Sequence, residues 1–183
     1  MALWNQGGVI MPEFSFIAKT VLTSETNSVI FSSIPQTYKQ LYVLVKGRDT
    51  NSSITDYSTM NAKINNNAGG DYINQSIQAL ASGALTLQGR SVDSKLEDVE
   101  YIHASVGTQR FSLWEQYFFQ YNTTSTHGVV GQMHTEVIWT SQARGVRSIN
   151  YYKATGTNFN SLNLNANFNN FAIGSSFYLY GIG

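Results

Sequence analysis

Three histidines, eleven acidic side chains and no cysteine bound the chemistry open to this 183-residue chain. His134-Thr135-Glu136 has the H-x-E spacing that opens a zinc-deaminase site, but the other half of such a site needs cysteines. On a strand, His134 and Glu136 share a face, and a cross-strand polar pair is the simpler reading. His127, beside Gly128, reads as a turn residue; the third histidine is His103. A serine nucleophile needs a histidine and an acid brought to it. The chain has many serines but no Gly-x-Ser-x-Gly elbow, and Gly174-Ser175-Ser176 reads as the turn into a strand. Residues 83–90 have the glycines of a phosphate loop without its lysine or its hydroxyl. Two carboxylates are enough to cleave a glycoside, and the candidates are Asp56, Asp71, Glu115 and Glu136, with the cluster Asp93, Glu97, Asp98 and Glu100. That cluster, or residues 65–71, could also offer oxygen ligands to calcium, though EF-hand spacing is absent. No motif is assembled in full, so the expectation is a non-enzyme with no metal and no cofactor.

Binding is the remaining class. Sugar sites combine an aromatic platform with Asn, Asp and Gln side chains. Tyr57, Tyr72, Trp114 and Trp139, with Tyr151 and Tyr152, are the aromatics that could build one; core packing accounts for the same residues. Eleven basic and eleven acidic residues cancel, and only 12% of the chain is charged, against about 25% in an ordinary soluble domain. Such a surface has no electrostatic footprint for nucleic acid. No apolar run approaches the ~18 residues of a membrane span, and Met1-Ala2-Leu3-Trp4-Asn5-Gln6 lacks the basic start and apolar core of a secretory signal. Neutral hydrogen bonds and aromatics, 13% of the residues, must carry any contact with a partner.

The elements that would position these residues are strands. Apolar and polar residues alternate along most of the chain, while helical periodicity is scarce. Strand patterns cover residues 14–22, 28–33, 40–47, 58–65, 99–106, 111–121, 128–139, 145–152, 161–167 and 176–182. Residues 40–47 are almost continuously apolar, which predicts a central strand covered on both faces. Met60, Ala62 and Ile64 share one face, as do Leu162, Leu164, Ala166 and Phe168, opposite Asn163, Asn165 and Asn167. Residues 66–71 form a turn rich in Asn and Gly, which tolerate positive φ. Residues 72–89 are mixed, and the acidic stretch 91–100 reads as one helical turn or a charged loop. About ten short strands with turn-rich spacers predict an all-β antiparallel β-sandwich or jelly roll.

Two segments carry a resemblance. The first is Phe31-Ser32-Ser33-Ile34-Pro35-Gln36-Thr37-Tyr38, running on through Leu41 into the long strand; the second is Gly174-Ser175-Ser176-Phe177-Tyr178-Leu179-Tyr180-Gly181-Ile182. Together they resemble a family of β-sandwich structural proteins of tailed bacteriophages, which pairs such an entry into a strand with such a closing strand. The likeness runs from Phe14 to Ile182, with residues 65–72 resembling the family's glycine-rich loop and residues 158–170 exceeding its usual spacing. It implies a non-catalytic virion protein, assembled in the host cytoplasm. The expected role is capsid decoration or cement: a homotrimer bound to the major capsid protein or to other virion proteins, with no nucleic acid or membrane partner. The alternative is a tail- or fibre-associated module that binds a host surface glycan.

Residues 1–13 fall outside the resemblance and read as an N-terminal arm ahead of a single β-sandwich domain, 14–183. The arm's Trp4, Val9, Ile10 and Met11 are the candidate contacts with the shell or a neighbouring subunit. In the closing strand, Phe177 and Leu179 are expected in the core, with Tyr178 and Tyr180 on the opposite face.

Overall fold

The computed structural model describes residues 13–50, 57–80, 84–103, 111–124, 127–134, 144–152, 158–167 and 169–183. The arm contacts Trp4, Val9, Ile10 and Met11, together with Asp56, Glu136, Trp139 and Phe168, lie outside the described residues.

The described residues form twelve strands and no helix. They are β1 (Phe14–Val21), β2 (Ser28–Phe31), β3 (Gln40–Gly47), β4 (Tyr57–Ile64), β5 (Tyr72–Leu80), β6 (Leu85–Asp93), β7 (Leu96–His103), β8 (Ser112–Phe119), β9 (His127–His134), β10 (Arg144–Tyr152), β11 (Leu162–Ala166) and β12 (Ser176–Ile182). Two antiparallel sheets result, one ordered β1-β12-β3-β8-β9-β10-β5-β6 and the other β2-β11-β4-β7. The chain is the expected all-β sandwich, and its connectivity explains the order. β1 pairs with β12, β2 with β11, β3 with β8 and β4 with β7. These eight strands are therefore one long antiparallel ribbon rolled over itself, which is the jelly-roll winding. Two hairpins, β5–β6 and β9–β10, extend the larger sheet beyond β8.

The core fills the space between the sheets. Leu41, Val43 and Val45 of β3, Phe177 and Leu179 of β12, and Trp114 and Phe118 of β8 line the large sheet's inner face. Met60, Ala62 and Ile64 of β4 and Leu162 and Leu164 of β11 face them from the small sheet, as their alternation predicts. Coverage of β3 on both faces holds only in part: Tyr42 on its outer side is buried, whereas Lys46 is exposed.

The acidic stretch 91–100 is neither helix nor loop. It is the end of β6 and most of β7, joined by Ser94 and Lys95. These two strands are the outer edges of the two sheets, and charged residues are commonly tolerated at sheet edges. Asp93 secures the link by accepting from the Ser94 N–H at 2.6 Å. Residues 72–89 resolve into β5 and the start of β6, and His127 opens β9 opposite Tyr152 instead of sitting in a turn.

The turn after β4 has Asn65 and Asn66 at φ 53° each, with the Asn67 N–H bonded to Ile64 O at 2.9 Å. Both central residues are left-handed, a demand that Asn meets better than most residues. The Asn65 amide also accepts from the Asn160 and Ser161 N–H groups, fastening the segment that leads to β11.

The two sequence segments behind the family resemblance meet in space. Phe31 and Ile34 enter the core. The Gln36 amide donates to Ile34 O and Phe159 O, each at 2.9 Å. Tyr121 donates its hydroxyl to Pro35 O and accepts from the Tyr38 N–H at 3.3 Å. Tyr38 lies on Gly181, where a Cβ would stand 2.2 Å from the ring, so only glycine lets the closing strand run under it. At the other end, Gly174 takes φ 84° in the turn before β12, and the Ser175 hydroxyl accepts from the Arg48 N–H at 3.2 Å.

Candidate functional site

Pairing register turns the outer face of the large sheet into rows. One row runs Phe16–Tyr180–Tyr42–Tyr117 across β1, β12, β3 and β8. The row beside it runs Phe14–Ile182–Gln40–Phe119. Six aromatic rings from strands distant in sequence thus form one band. A bulge in β1 between Phe16 and Ala18 resets the alternation, so that Phe14 and Phe16 face outwards while Ile17 and Ala18 pack against the core.

The rings contact one another. Phe14 meets Tyr42 edge-on at 5.4 Å between centroids, Phe16 meets Tyr180 at 5.9 Å, and Tyr42 lies 4.8 Å from Tyr117. Tyr117 stacks on Phe119 at 6.4 Å. Edge-on and offset contacts of this kind add about 0.5–1.5 kcal/mol each beyond burial. The band remains open to water at one end: Phe14 is 49% and Phe16 60% exposed. The Tyr42 hydroxyl donates to Glu115 Oε1 at 2.6 Å. Burial, reinforced by that hydrogen bond, pushes the Tyr42 phenol far above its ordinary pKa; burial and Glu115 raise Tyr117 as well. Glu115, a candidate catalytic acid on sequence grounds, is thus a partner of the band's central tyrosine.

At the Phe119 end the band runs into a pocket of about 410 Å³ lined by Lys39, Gln40, Phe119, Gln120 and Asn122. Gln40 begins β3 and Lys39 precedes it, and Gln120 and Asn122 belong to the turn after β8.

No protein-family model and no curated protein matches the chain.

Of the described residues singled out from the sequence, Tyr72 and Tyr152 meet, but inside the core. Tyr72 and Trp114 are fully buried, so neither can serve as a glycan platform. Tyr72 is instead a brace: its hydroxyl accepts from the Ile64 N–H at 2.8 Å, and its ring packs 4.9 Å from that of Tyr152, also buried. Burial raises the Tyr72 pKa strongly. Tyr57 opens β4 opposite His103, and Tyr151 lies in β10, both with side chains outside the described set. Asp71 accepts from the Asn67 amide at 2.9 Å within its turn. His134 closes β9 opposite Leu113. Among the described residues, no three His, Asp or Glu side chains gather as a metal ion would require. The sequence reading missed Phe14, Phe16, Tyr42 and Tyr117 as a site. Their signal was alternation of aromatics on outward positions, which becomes a band only once the register is known.

Proposed function

We propose that the protein is a non-catalytic structural component of a tailed-phage particle, a decoration protein that lies on the assembled capsid shell through the outer face of its large sheet. The observation that carries this reading is the aromatic band, with Phe14 and Phe16 half open to water on edge strand β1. Interface cores are enriched in aromatics and depleted of charge, and a few central aromatics supply most of the binding energy. The resemblance in residues 31–41 and 174–182 supplies the particle, and the trimeric state it implies belongs to the same proposal.

Co-sedimentation with purified shells tests it. The double variant Phe14→Ser/Phe16→Ser alters exposed side chains, so the domain stays folded, and shell binding weakens at least tenfold. Unchanged binding rejects the band as the docking face. A truncation lacking residues 1–13 asks separately whether the arm contributes. If the intact protein ignores shells but binds host cells, the tail-associated role replaces the decoration role.

A further inference from the structure

Beside the aromatic rows, the same outer face changes character. The next two rows run Lys19–Tyr178–Leu44–Glu115 and Val21–Ser176–Lys46–Leu113 across β1, β12, β3 and β8. Lys19 Nζ lies 5.2 Å from the centroid of the Tyr178 ring. Lys46 Nζ and Arg48 Cζ lie 4.7 Å and 5.4 Å from that of Phe111. The rings thus hold three cations on one face of the sheet, and among the described residues none of the three is paired with a carboxylate. Arg48 Nε is buried without a hydrogen-bond partner. Glu115, the acid of the first row, is taken by the Tyr42 hydroxyl. A hydrogen bond with Ser176, together with the charges of Lys19 and Lys46, holds the Tyr178 phenol below its ordinary pKa, so negative charge is favoured here. Val21 and Ile173 stand exposed at the same end, where the Gly174 N–H is bonded to Leu22 O at 2.9 Å.

The opposite edge of the sheet carries the complement. The row that starts at Lys19 ends at Leu87 on β6. Leu85 and Leu87 are 75% and 72% exposed, more than any other large hydrophobic side chain described. β6 runs on to Asp93, and edge strand β7 carries Glu97, Asp98 and Glu100, so four of the eleven acidic residues fall within 93–100. Lys95, the one base in that stretch, donates to Asn167 Oδ1 at 3.2 Å.

We infer that the patch of Lys19, Lys46 and Arg48 receives the β6–β7 edge of a second copy of this chain, in a head-to-tail contact that closes three copies into a ring. The two surfaces stand at opposite edges of one sheet, so a copy cannot satisfy its own patch. Each contact leaves one surface of either kind for the next copy, and such heterologous contacts form rings when the rotation closes. A patch set against its own symmetry mate would oppose the same three cations, an arrangement that like charges disfavour. A small anion or a nucleic acid would use the cations and leave Leu85, Leu87, Val21 and Ile173 in water. The edge of a second copy covers both kinds of surface. The inference rests on the trimeric state within the proposed function and not on the shell contact, which is assigned to Phe14 and Phe16.

Sedimentation velocity of the intact protein, without shells, is the test. The protein sediments with the mass of three chains, and raising salt to about 1 M, where charges are screened beyond ~3 Å, weakens association at least fivefold. Lys19→Glu/Lys46→Glu changes two exposed side chains and leaves single chains; Leu85→Ser/Leu87→Ser does the same from the other surface. An unchanged urea midpoint shows that both variants are folded. Mixed together, the two variants form a one-to-one pair and no ring, because one retains the leucine edge and the other the cations. A mass of one or two chains for the unaltered protein overturns the inference, as does a trimer that either variant retains, or a mixture that stays unpaired. Co-sedimentation of Phe14→Ser/Phe16→Ser with shells is read separately, so the shell contact and the ring fail independently.

Discussion

The two faces of the large sheet are made from the same strands and the same backbone, yet they are different materials. Along β3, β12 and β8, the inner face is Leu41, Val43, Val45, Phe177, Leu179, Trp114 and Phe118, nearly all without a polar atom and all sealed from water. One residue further along each strand, the outer face presents Tyr42, Tyr180, Tyr117 and Phe119. The inner set gains stability by leaving water once, on folding. The outer set is sealed only in part: Tyr42 is covered by its neighbours, while Tyr180, Tyr117 and Phe119 keep part of their surface in water and can be covered later. Aromatic content alone therefore says little; the phase of the alternation decides which rings hold the fold and which remain to be used.

Substitution on the two faces gives the sharpest contrast. Phe177→Ala removes a fully buried ring and lowers the unfolding free energy by about 3–5 kcal/mol, while Phe16→Ala on the outer face loses one edge-on ring contact with Tyr180, about 0.5–1.5 kcal/mol. Urea denaturation of both variants checks this, and equal losses would erase the distinction. Next in size is Gly181→Ala, whose new Cβ would overlap the Tyr38 ring at 2.2 Å, at a cost of about 1–3 kcal/mol. Combined with Tyr38→Ala the same change adds almost nothing, a non-additivity that a double-mutant cycle reads directly.

A smaller effect has the opposite sign. Gln116 is the inner face's anomaly: it is fully buried on β8, and neither its amide nitrogen nor its oxygen has a hydrogen-bond partner. An unpaired buried polar group costs about 1–3 kcal/mol, so Gln116→Met stabilises the protein by about 1 kcal/mol or more, seen as a higher urea midpoint. The least local prediction concerns alkali. Tyr42 and Tyr72 have pKa values raised on folding, so above the ordinary tyrosine pKa of ~10 the unfolded chain loses protons that the folded one keeps. Their contribution is complete below pH ~10 and is lost as pH rises from there through the folded-state values. Tyr72→Phe flattens the alkaline limb of a stability–pH profile; an unchanged limb contradicts it.

Where propensity and burial agree, the sequence was readable to the residue. The strands Gln40–Gly47 and Ser176–Ile182 have the expected limits, because β-branched and aromatic residues run unbroken between turn signals. The inward facing of Phe177 and Leu179 followed from alternation alone. Residues 91–100 misled because acidic residues are poor strand formers in isolation, and only their place at two sheet edges makes the strand acceptable. Tyr72 and Trp114 misled for another reason: an aromatic suits a core as well as a ligand platform, and type alone does not separate the two. The pocket was out of reach in principle, since Gln40 and Gln120 become neighbours only through the pairing of β3 with β8.

The rolled ribbon sets a schedule for folding. β12 lies between β1 and β3, so strands from the start of the chain cannot complete their sheet until residues 176–182 have been synthesised. Contacts of such long sequence separation must meet the entropy of loop closure before they return any stability, which places sandwiches among the slow folders, in milliseconds to seconds. Until then β1 and β3 each present an unpaired edge to other chains. The period of greatest exposure to misassembly is thus fixed by the order of synthesis, and it ends when the closing strand slides into the gap held open for it.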